Sequence, residues 1–117
     1  MSQREYEVAS AGLGRITISS DAIEQIVGYA AASSYGVVAL AGRHRWSQLF
    51  PWGIRKGVDV DLLENGLSIE VRVVVEHGLK LAEIATTVRE RILYELGRMT
   101  GLPVGRLEVH IDGVRDR

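Results

Sequence analysis

The sequence predicts an α+β fold, a two-layer sandwich with the element order β-α-β-β-α-β, a mostly antiparallel sheet and two helices on one of its faces. A length of 117 residues suits one domain. Two segments repeat apolar residues at helical spacing, and four alternate polar and apolar residues as strands do. Because each helix buries one stripe and each strand one face, placing both helices on the same side of the sheet is the economical arrangement.

The first half of the chain predicts a strand followed by a helix. Residues 1–13 mix charges of both signs before a Ser-Ala-Gly breaker, so we expect a frayed N-terminus ahead of a single domain over residues 14–114. The run Gly14–Ile18 alternates polar and β-branched residues and predicts the first strand. Asp21 and Glu24 form a capping-box pattern at the start of the helix. Its apolar stripe consists of Ile23, Ile26, Val27, Ala30 and Ala31.

A β-hairpin follows, and its register can be drawn from the sequence. Asn65-Gly66 is a strong two-residue turn signal, and alternating segments lie on both sides of it at 58–62 and 67–75. The aliphatic face of this register pairs Val58 with Val73, Val60 with Val71, and Leu62 with Ile69. The other face pairs Asp59 with Arg72 and Asp61 with Glu70.

The second half ends in a helix and a strand. The helix follows Gly78 and closes at Thr100-Gly101, with Pro103 just beyond. Its stripe consists of Leu81, Ile84, Ala85, Val88, Ile92, Leu96 and Met99. The last strand covers residues 106–111, with Leu107, Val109 and Ile111 facing inward.

Several strings resemble the bacterial alkaline-shock-protein family of envelope stress response proteins. They are Gly14–Ser19, Lys56–Val60, Met99–Val104 and Leu107–Val114, and the resemblance covers about residues 12–114. It implies a small cytoplasmic protein with no enzymatic activity and no cofactor, tied to cell-envelope stress. It also implies a protein partner, which in some members holds the protein at the membrane. Arg89 stands where the family usually has Gln.

The most unusual stretch is residues 43–56, here called the Arg/Trp segment, where many members of that family carry Gly-rich sequence. It holds both Trp residues and the only Phe, and no Asp or Glu occurs between Glu24 and Asp59. Aromatic residues beside cations suit a surface that meets anionic lipid head groups or an apolar groove on a partner. A loop that folds its aromatics onto the core is the open alternative. The candidate binding residues are Arg43, Arg45, Trp46, Phe50, Trp52, Arg55 and Lys56.

Other functional classes find little support in the sequence. The absence of Cys excludes thiolate metal sites and Cys nucleophiles. His44, His77 and His110 have no metal-ligand spacing, and a facing pair of Asp61 and Glu70 on an exposed sheet is better explained by solvent screening than by catalysis or metal binding. We therefore predict no catalytic, cofactor-binding or metal-binding residue. A net charge of −1 argues against nucleic acid, although single-stranded RNA remains the alternative partner.

Membrane insertion is not expected from the sequence. The N-terminus lacks an apolar segment of the signal-peptide type. Residues 25–42 are free of charge, but their polar residues and periodicity predict a helix, a turn and a short strand instead of a membrane span. We expect a cytoplasmic protein that reaches the membrane surface through a partner or by peripheral contact, with a homo-oligomer as an open possibility.

Overall fold

The computed structural model describes residues 4–41 and 57–116, which form two helices packed on a sheet. The elements are β1 (Glu5–Ala11), β2 (Gly14–Ser19), α1 (Ser20–Ala32), β3 (Val37–Leu40), β4 (Val58–Leu63), β5 (Gly66–Glu76), α2 (Leu81–Met99) and β6 (Val104–Arg115). The predicted α+β class and the packing of both helices on the sheet are confirmed. The predicted element order lacked two strands, β1 and β3, although a short strand was expected within residues 25–42, where β3 lies.

The centre of the sheet is β5. Along one of its edges β3 and β4 lie one after the other, both antiparallel to it, and along the other edge β6 runs parallel. Every second side chain of β5 is buried, as the alternating pattern predicted: Leu67, Ile69, Val71, Val73 and Val75. This is the face that the helices cover.

The helices contribute the central parts of the stripes that the helical spacing predicted, whereas Leu81 and Met99, at the two ends of the predicted α2 stripe, are 44% and 56% exposed. The buried residues are Ile23, Val27, Ala30 and Ala31 of α1, and Ile84, Val88, Ile92 and Leu96 of α2. The cap of α1 differs from the expectation, because Ser19 Oγ accepts a hydrogen bond from the backbone N–H of Ala22 at 3.1 Å. The chain passes from β2 straight into α1, so Ser19 is the last extended residue and Asp21 already lies in the first turn.

The expectation of a frayed N-terminus is wrong for residues 5–11. They form β1, which pairs antiparallel with β2 in a separate two-stranded sheet. Tyr6 is only 5% exposed and joins the core, and the N–H of Ser20 donates to the carbonyl of Arg4 at 2.6 Å. The mixed charge of residues 5–11 suggested disorder. Pairing with β2 and burial of the Tyr6 side chain order them instead.

The hairpin between β4 and β5 keeps the predicted faces but not the predicted register. Val58 lies opposite Val71, and Val60 lies opposite Ile69, a shift of two residues. The turn residues are Glu64 and Asn65, so Gly66 is the first residue of β5, with φ of +124°. A type I′ turn at Asn65-Gly66 would need positive φ at both residues, and no non-glycine residue in the described part of the chain adopts it.

Tertiary contact explains why the glycine is in the strand. A Cβ atom at Gly66 would lie 2.5 Å from the carbonyl oxygen of Pro103, which also accepts a hydrogen bond from the N–H of Leu67 at 2.9 Å. The chain entering β6 therefore approaches the backbone at Gly66 closely, which the local sequence does not reveal.

Candidate functional site: the outer sheet face and the base of the Arg/Trp segment

The face of the sheet turned away from the helices carries the charged residues of three strands. We call this the outer sheet face, and it arises because side chains alternate between the two faces of each strand. The register brings together residues distant in sequence, since β6 lies beside β5 and β4 lies on its other side. Its members include Asp59, Asp61, Ser68, Glu70, Arg72, Arg106, Glu108, His110 and Asp112.

Arg72 organises the middle of this face. Its Nη2 lies 2.8 Å from Glu70 Oε1 and its Nη1 lies 3.3 Å from Asp112 Oδ1, and the side chain is 25% exposed. A second ion pair joins Arg106 and Glu108 on β6. The predicted pairs Asp59–Arg72 and Asp61–Glu70 are wrong, because the two-residue shift places Asp59 opposite Glu70 and Asp61 opposite Ser68.

Three potential metal ligands meet on the outer sheet face. Ligand atoms of Glu70, Glu108 and His110 lie within 4.8 Å of one another, and His110 Nε2 is 3.2 Å from Glu108 Oε1. Glu70 also pairs with Arg72, and Glu108 pairs with Arg106. These arginines offset the negative charge that would attract a metal cation. His110 faces outward as predicted, His77 is exposed after β5, and His44 lies outside the described residues.

A cleft of about 440 Å³ opens beside β4, where the start of α1 and the N-terminal segment approach the outer sheet face. Arg4 reaches across it to form an ion pair with Asp61. The backbone N–H of Arg4 donates to Ser20 Oγ at 3.2 Å. The polar residues of its lining are Arg4, Ser20, Glu24, Asp59, Asp61, Ser68, Glu70 and Arg106.

Burial in this cleft raises the pKa of Glu24, and the negative charge of Asp59 raises it further. Between the ordinary value of 4.5 and the raised pKa, the folded protein therefore binds more protons than the unfolded chain. Stability from this group falls as pH rises through that window and stays lower above it. The cleft is thus a place where a carboxyl group is held at a cost to stability.

We expect Glu24→Gln to melt at a higher temperature than the wild type at pH 7, because the neutral amide avoids burying a charge beside Asp59. Below pH 4.5 the difference should shrink, since Glu24 is then protonated in both states. Thermal melting from pH 3.5 to 8 measures this. Glu90→Gln on the exposed side of α2 is the matched control, expected to show no such trend. A lower melting temperature for Glu24→Gln at pH 7 would contradict the assignment.

The base of the Arg/Trp segment lies at Arg72. The N–H of Ala41 donates to the carbonyl of Arg72 at 2.9 Å, and the N–H of Arg72 donates to the carbonyl of Gly57 at 2.8 Å. Ala41 and Gly57 thus both hydrogen-bond to the backbone of Arg72. On β5 this residue lies between Val73, which pairs with β3, and Val71, which pairs with β4. In the sequence, residues 42–56 separate two strands that line the same edge of β5. The predicted binding residues, Arg43, Arg45, Trp46, Phe50, Trp52, Arg55 and Lys56, all lie outside the described residues.

The sequence profile of the alkaline-shock-protein-23 family, described as having a cell envelope-related function, matches residues 8–116. The chain belongs to this family. The resemblance predicted from short strings therefore extends to almost the whole chain.

Relatives within the alkaline-shock-protein-23 family include two uncharacterized proteins of Bacillus subtilis. YqhY is 34% identical over 106 residues, covering 88% of this chain and 78% of its own length. YloU is 29% identical over 107 residues, covering 87% of this chain and 89% of its own length. Spy1614 of Streptococcus pyogenes is similar to the same degree, at 29% identity over 107 residues.

Solved structures with a similar fold include variants of the MamM CTD. Two of them superpose with a TM-score of 0.54 over 80% of this chain and 93% of theirs, at 14% sequence identity. At that identity the likeness concerns the fold alone. Among the described residues, no helix is long and apolar enough to cross a membrane.

Proposed function

We propose that this member of the alkaline-shock-protein-23 family is a non-enzymatic scaffold of the cell envelope that works in the cytoplasm. It presents the Arg/Trp segment to a protein partner that is itself held at the membrane. The observation that carries the proposal is the pair of hydrogen bonds by which Ala41 and Gly57 both engage the backbone of Arg72. We infer that the segment is an insertion into an edge strand, because β3 and β4, which precede and follow it in the chain, line the same edge of β5.

The composition of the insertion supports a binding role. A connection that only joins β3 to β4 needs neither two Trp residues nor four cations, whereas a partner surface uses aromatic anchors beside Arg. The absence of Asp and Glu between residues 24 and 59 gives this stretch of the chain a net positive charge that favours acidic partners. Anionic lipid is a second surface that the same residues can contact.

Nucleic acid is less well supported than a protein partner. RNA-binding sheets stack bases on exposed aromatic residues. The outer sheet face in the described part of the chain instead carries Asp, Glu, Arg, His and Ser. A salt titration with single-stranded RNA tests the alternative, since sub-micromolar affinity with a steep salt dependence would favour it.

Deleting residues 42–56 tests whether the segment is an insertion. Joining Ala41 directly to Gly57 leaves two residues opposite Arg72, as in a β-bulge, and turns β3 and β4 into one continuous strand. We expect the shortened protein to melt within a few degrees of the wild type, measured by circular dichroism. Collapse of the fold would instead show that the aromatic residues belong to the core, since losing two buried Trp costs about 3–5 kcal/mol each.

The binding role is tested with Trp46→Ala/Trp52→Ala in a chain that keeps residues 42–56. We expect unchanged melting and loss of partners that wild-type protein captures from lysate of its own cells. Arg89→Ala/Arg91→Ala on the exposed side of α2 is the matched control and should retain them. Vesicles with and without anionic lipid then separate a lipid contact from a protein partner. If Trp46→Ala/Trp52→Ala captures the same partners as the wild type and the Arg89→Ala/Arg91→Ala control, the segment is not the binding surface.

A further inference from the structure

β6 has a long edge that is not used within the described chain. It spans Val104–Arg115 and is hydrogen-bonded to β5 along one side only. Within residues 4–41 and 57–116, no strand pairs with its other side. Its inward residues Leu107, Val109 and Ile111 are only partly buried, although those of β5 are fully buried. Natural proteins rarely leave so long an edge without protection or a partner.

The sequence of β6 is self-complementary about Val109. On the outer face, Arg106 lies three positions before Val109, and Asp112, which the pairing of β6 with β5 skips but whose carboxylate reaches Arg72, lies three positions after it. Glu108 and His110 flank Val109 directly and are likewise an acid and a base. The other residues at equal distances from Val109 are uncharged and alike in type. They pair Leu107 with Ile111, Gly105 with Gly113, and Val104 with Val114.

We propose that β6 pairs with β6 of a second copy of this chain, antiparallel and across a two-fold axis at Val109. Two-fold symmetry then makes the interface isologous, so each contact occurs twice. Arg106 faces Asp112 of the second copy, and Glu108 faces its His110. The sheets of the two copies join into one, with the helices of both on the same side.

Charge selects this register over its neighbours. Directly opposite residues in an antiparallel pair lie on the same face, so only shifts that keep outer residues opposite outer residues are allowed. Centring the axis on Glu108 places that carboxylate against its own copy and Arg106 against His110. Centring it on His110 places Glu108 against Asp112. The register at Val109 is the one of the three that places Arg106 opposite a carboxylate and Glu108 opposite the imidazole of His110, with no carboxylate facing another.

The ion pairs within one chain are compatible with this arrangement. Arg106 pairs with Glu108, and Asp112 lies 3.3 Å from Arg72. In the dimer each of these groups gains an opposite charge from across the edge. The interface also covers the exposed sides of Leu107, Val109 and Ile111, which adds apolar burial along the inner face.

Charge exchange at the symmetric positions tests the proposal by sedimentation velocity over a range of protein concentrations. The wild type is expected to be a dimer. Arg106→Asp and Asp112→Arg each place like charges opposite one another twice, so each should weaken dimerisation at least tenfold. Mixing the two single variants opposes unlike charges at both contacts and should restore association as a heterodimer. Arg91→Asp on α2 is the control for altered net charge and should leave the dimer intact.

A cysteine test measures the register itself, and the chain offers a clean background because it contains no Cys. Val109→Cys places the two thiols directly across the axis, within reach of a disulfide. Leu107→Cys has the same inward orientation but lies several residues from its own copy. Under mild oxidation we expect rapid cross-linking of the first variant and little of the second.

The outcomes separate this proposal from the proposed function. The protein lacking residues 42–56 keeps β6 and should dimerise like the wild type. A monomeric wild type at all accessible concentrations would overturn the β6 dimer. The same conclusion would follow from single variants that remain dimeric, from a mixture of folded variants that fails to associate, or from equal cross-linking at positions 107 and 109.

Discussion

Val71→Asp is expected to unfold the protein at room temperature or to bring it close to unfolding. Val71 is fully buried on the central strand, opposite Val58 and beside Val109 of β6. A carboxylate there has no partner and no water, and we expect a loss of about 4 kcal/mol or more, most of the stability of a small domain. Chemical denaturation followed by circular dichroism measures it.

Val114→Asp is the matched control for that substitution. Val114 is 47% exposed near the end of β6, so the same change leaves the new carboxylate in water. We expect its unfolding midpoint to stay near that of the wild type. If Val71→Asp unfolded at the same denaturant concentration as Val114→Asp, the inward face of β5 would be misassigned.

Gly57→Ala is expected to have the second largest effect, although it adds only one methyl group. Gly57 has φ of +74°, and a Cβ atom there would collide with the carbonyl oxygen of Ala41 and lie 2.9 Å from that of Arg72. Both obstacles are backbone atoms in the hydrogen-bonded base of the Arg/Trp segment, so neither can move cheaply. We expect a loss of about 2 kcal/mol or more.

Gly97→Ala is the opposite case within the same chain. Gly97 is exposed in α2, and a Cβ atom there meets nothing within 4 Å. The substitution should stabilise the helix by roughly 1 kcal/mol, because Ala loses less backbone freedom on folding. Paired melting curves of the two variants therefore should shift in opposite directions. A neutral Gly57→Ala would mean that the base of the segment is not closed around Arg72.

In the hairpin between β4 and β5, the alternating sequence pattern predicts the buried face but not the register. Alternation placed Val58, Val60, Ile69 and Val71 on the correct face, since a period of two keeps its meaning whichever residue stands opposite. The same property makes alternation unable to distinguish registers that differ by two residues. Gly66 decided the register through its close approach to Pro103, a residue 37 positions away in the chain.

The candidate site likewise has one part that the sequence predicted and one part that it did not. The Arg/Trp segment was recognisable from composition, because local clustering of aromatic residues and cations needs no knowledge of the fold. The pairs that Arg72 makes with Glu70 and Asp112 were not predicted, since Asp112 reaches Arg72 only after β6 docks beside β5. A parallel neighbour joined by a long crossover leaves no turn signal between its strands.

The sequence by itself determined the fold class, both helices with their buried stripes, the inward face of β5 and the family, because each of these depends on local periodicity or on short strings. The tertiary structure alone decided that β1 is a strand, that β4 pairs two residues out of the predicted register, and that Ala41 and Gly57, on either side of the Arg/Trp segment in the chain, both hydrogen-bond to the backbone of Arg72. The physical reason is that strand pairing is set by hydrogen bonds and close backbone contacts between segments far apart in the chain. Local propensity determines which face of a strand is apolar, but the neighbouring strand determines what that face meets.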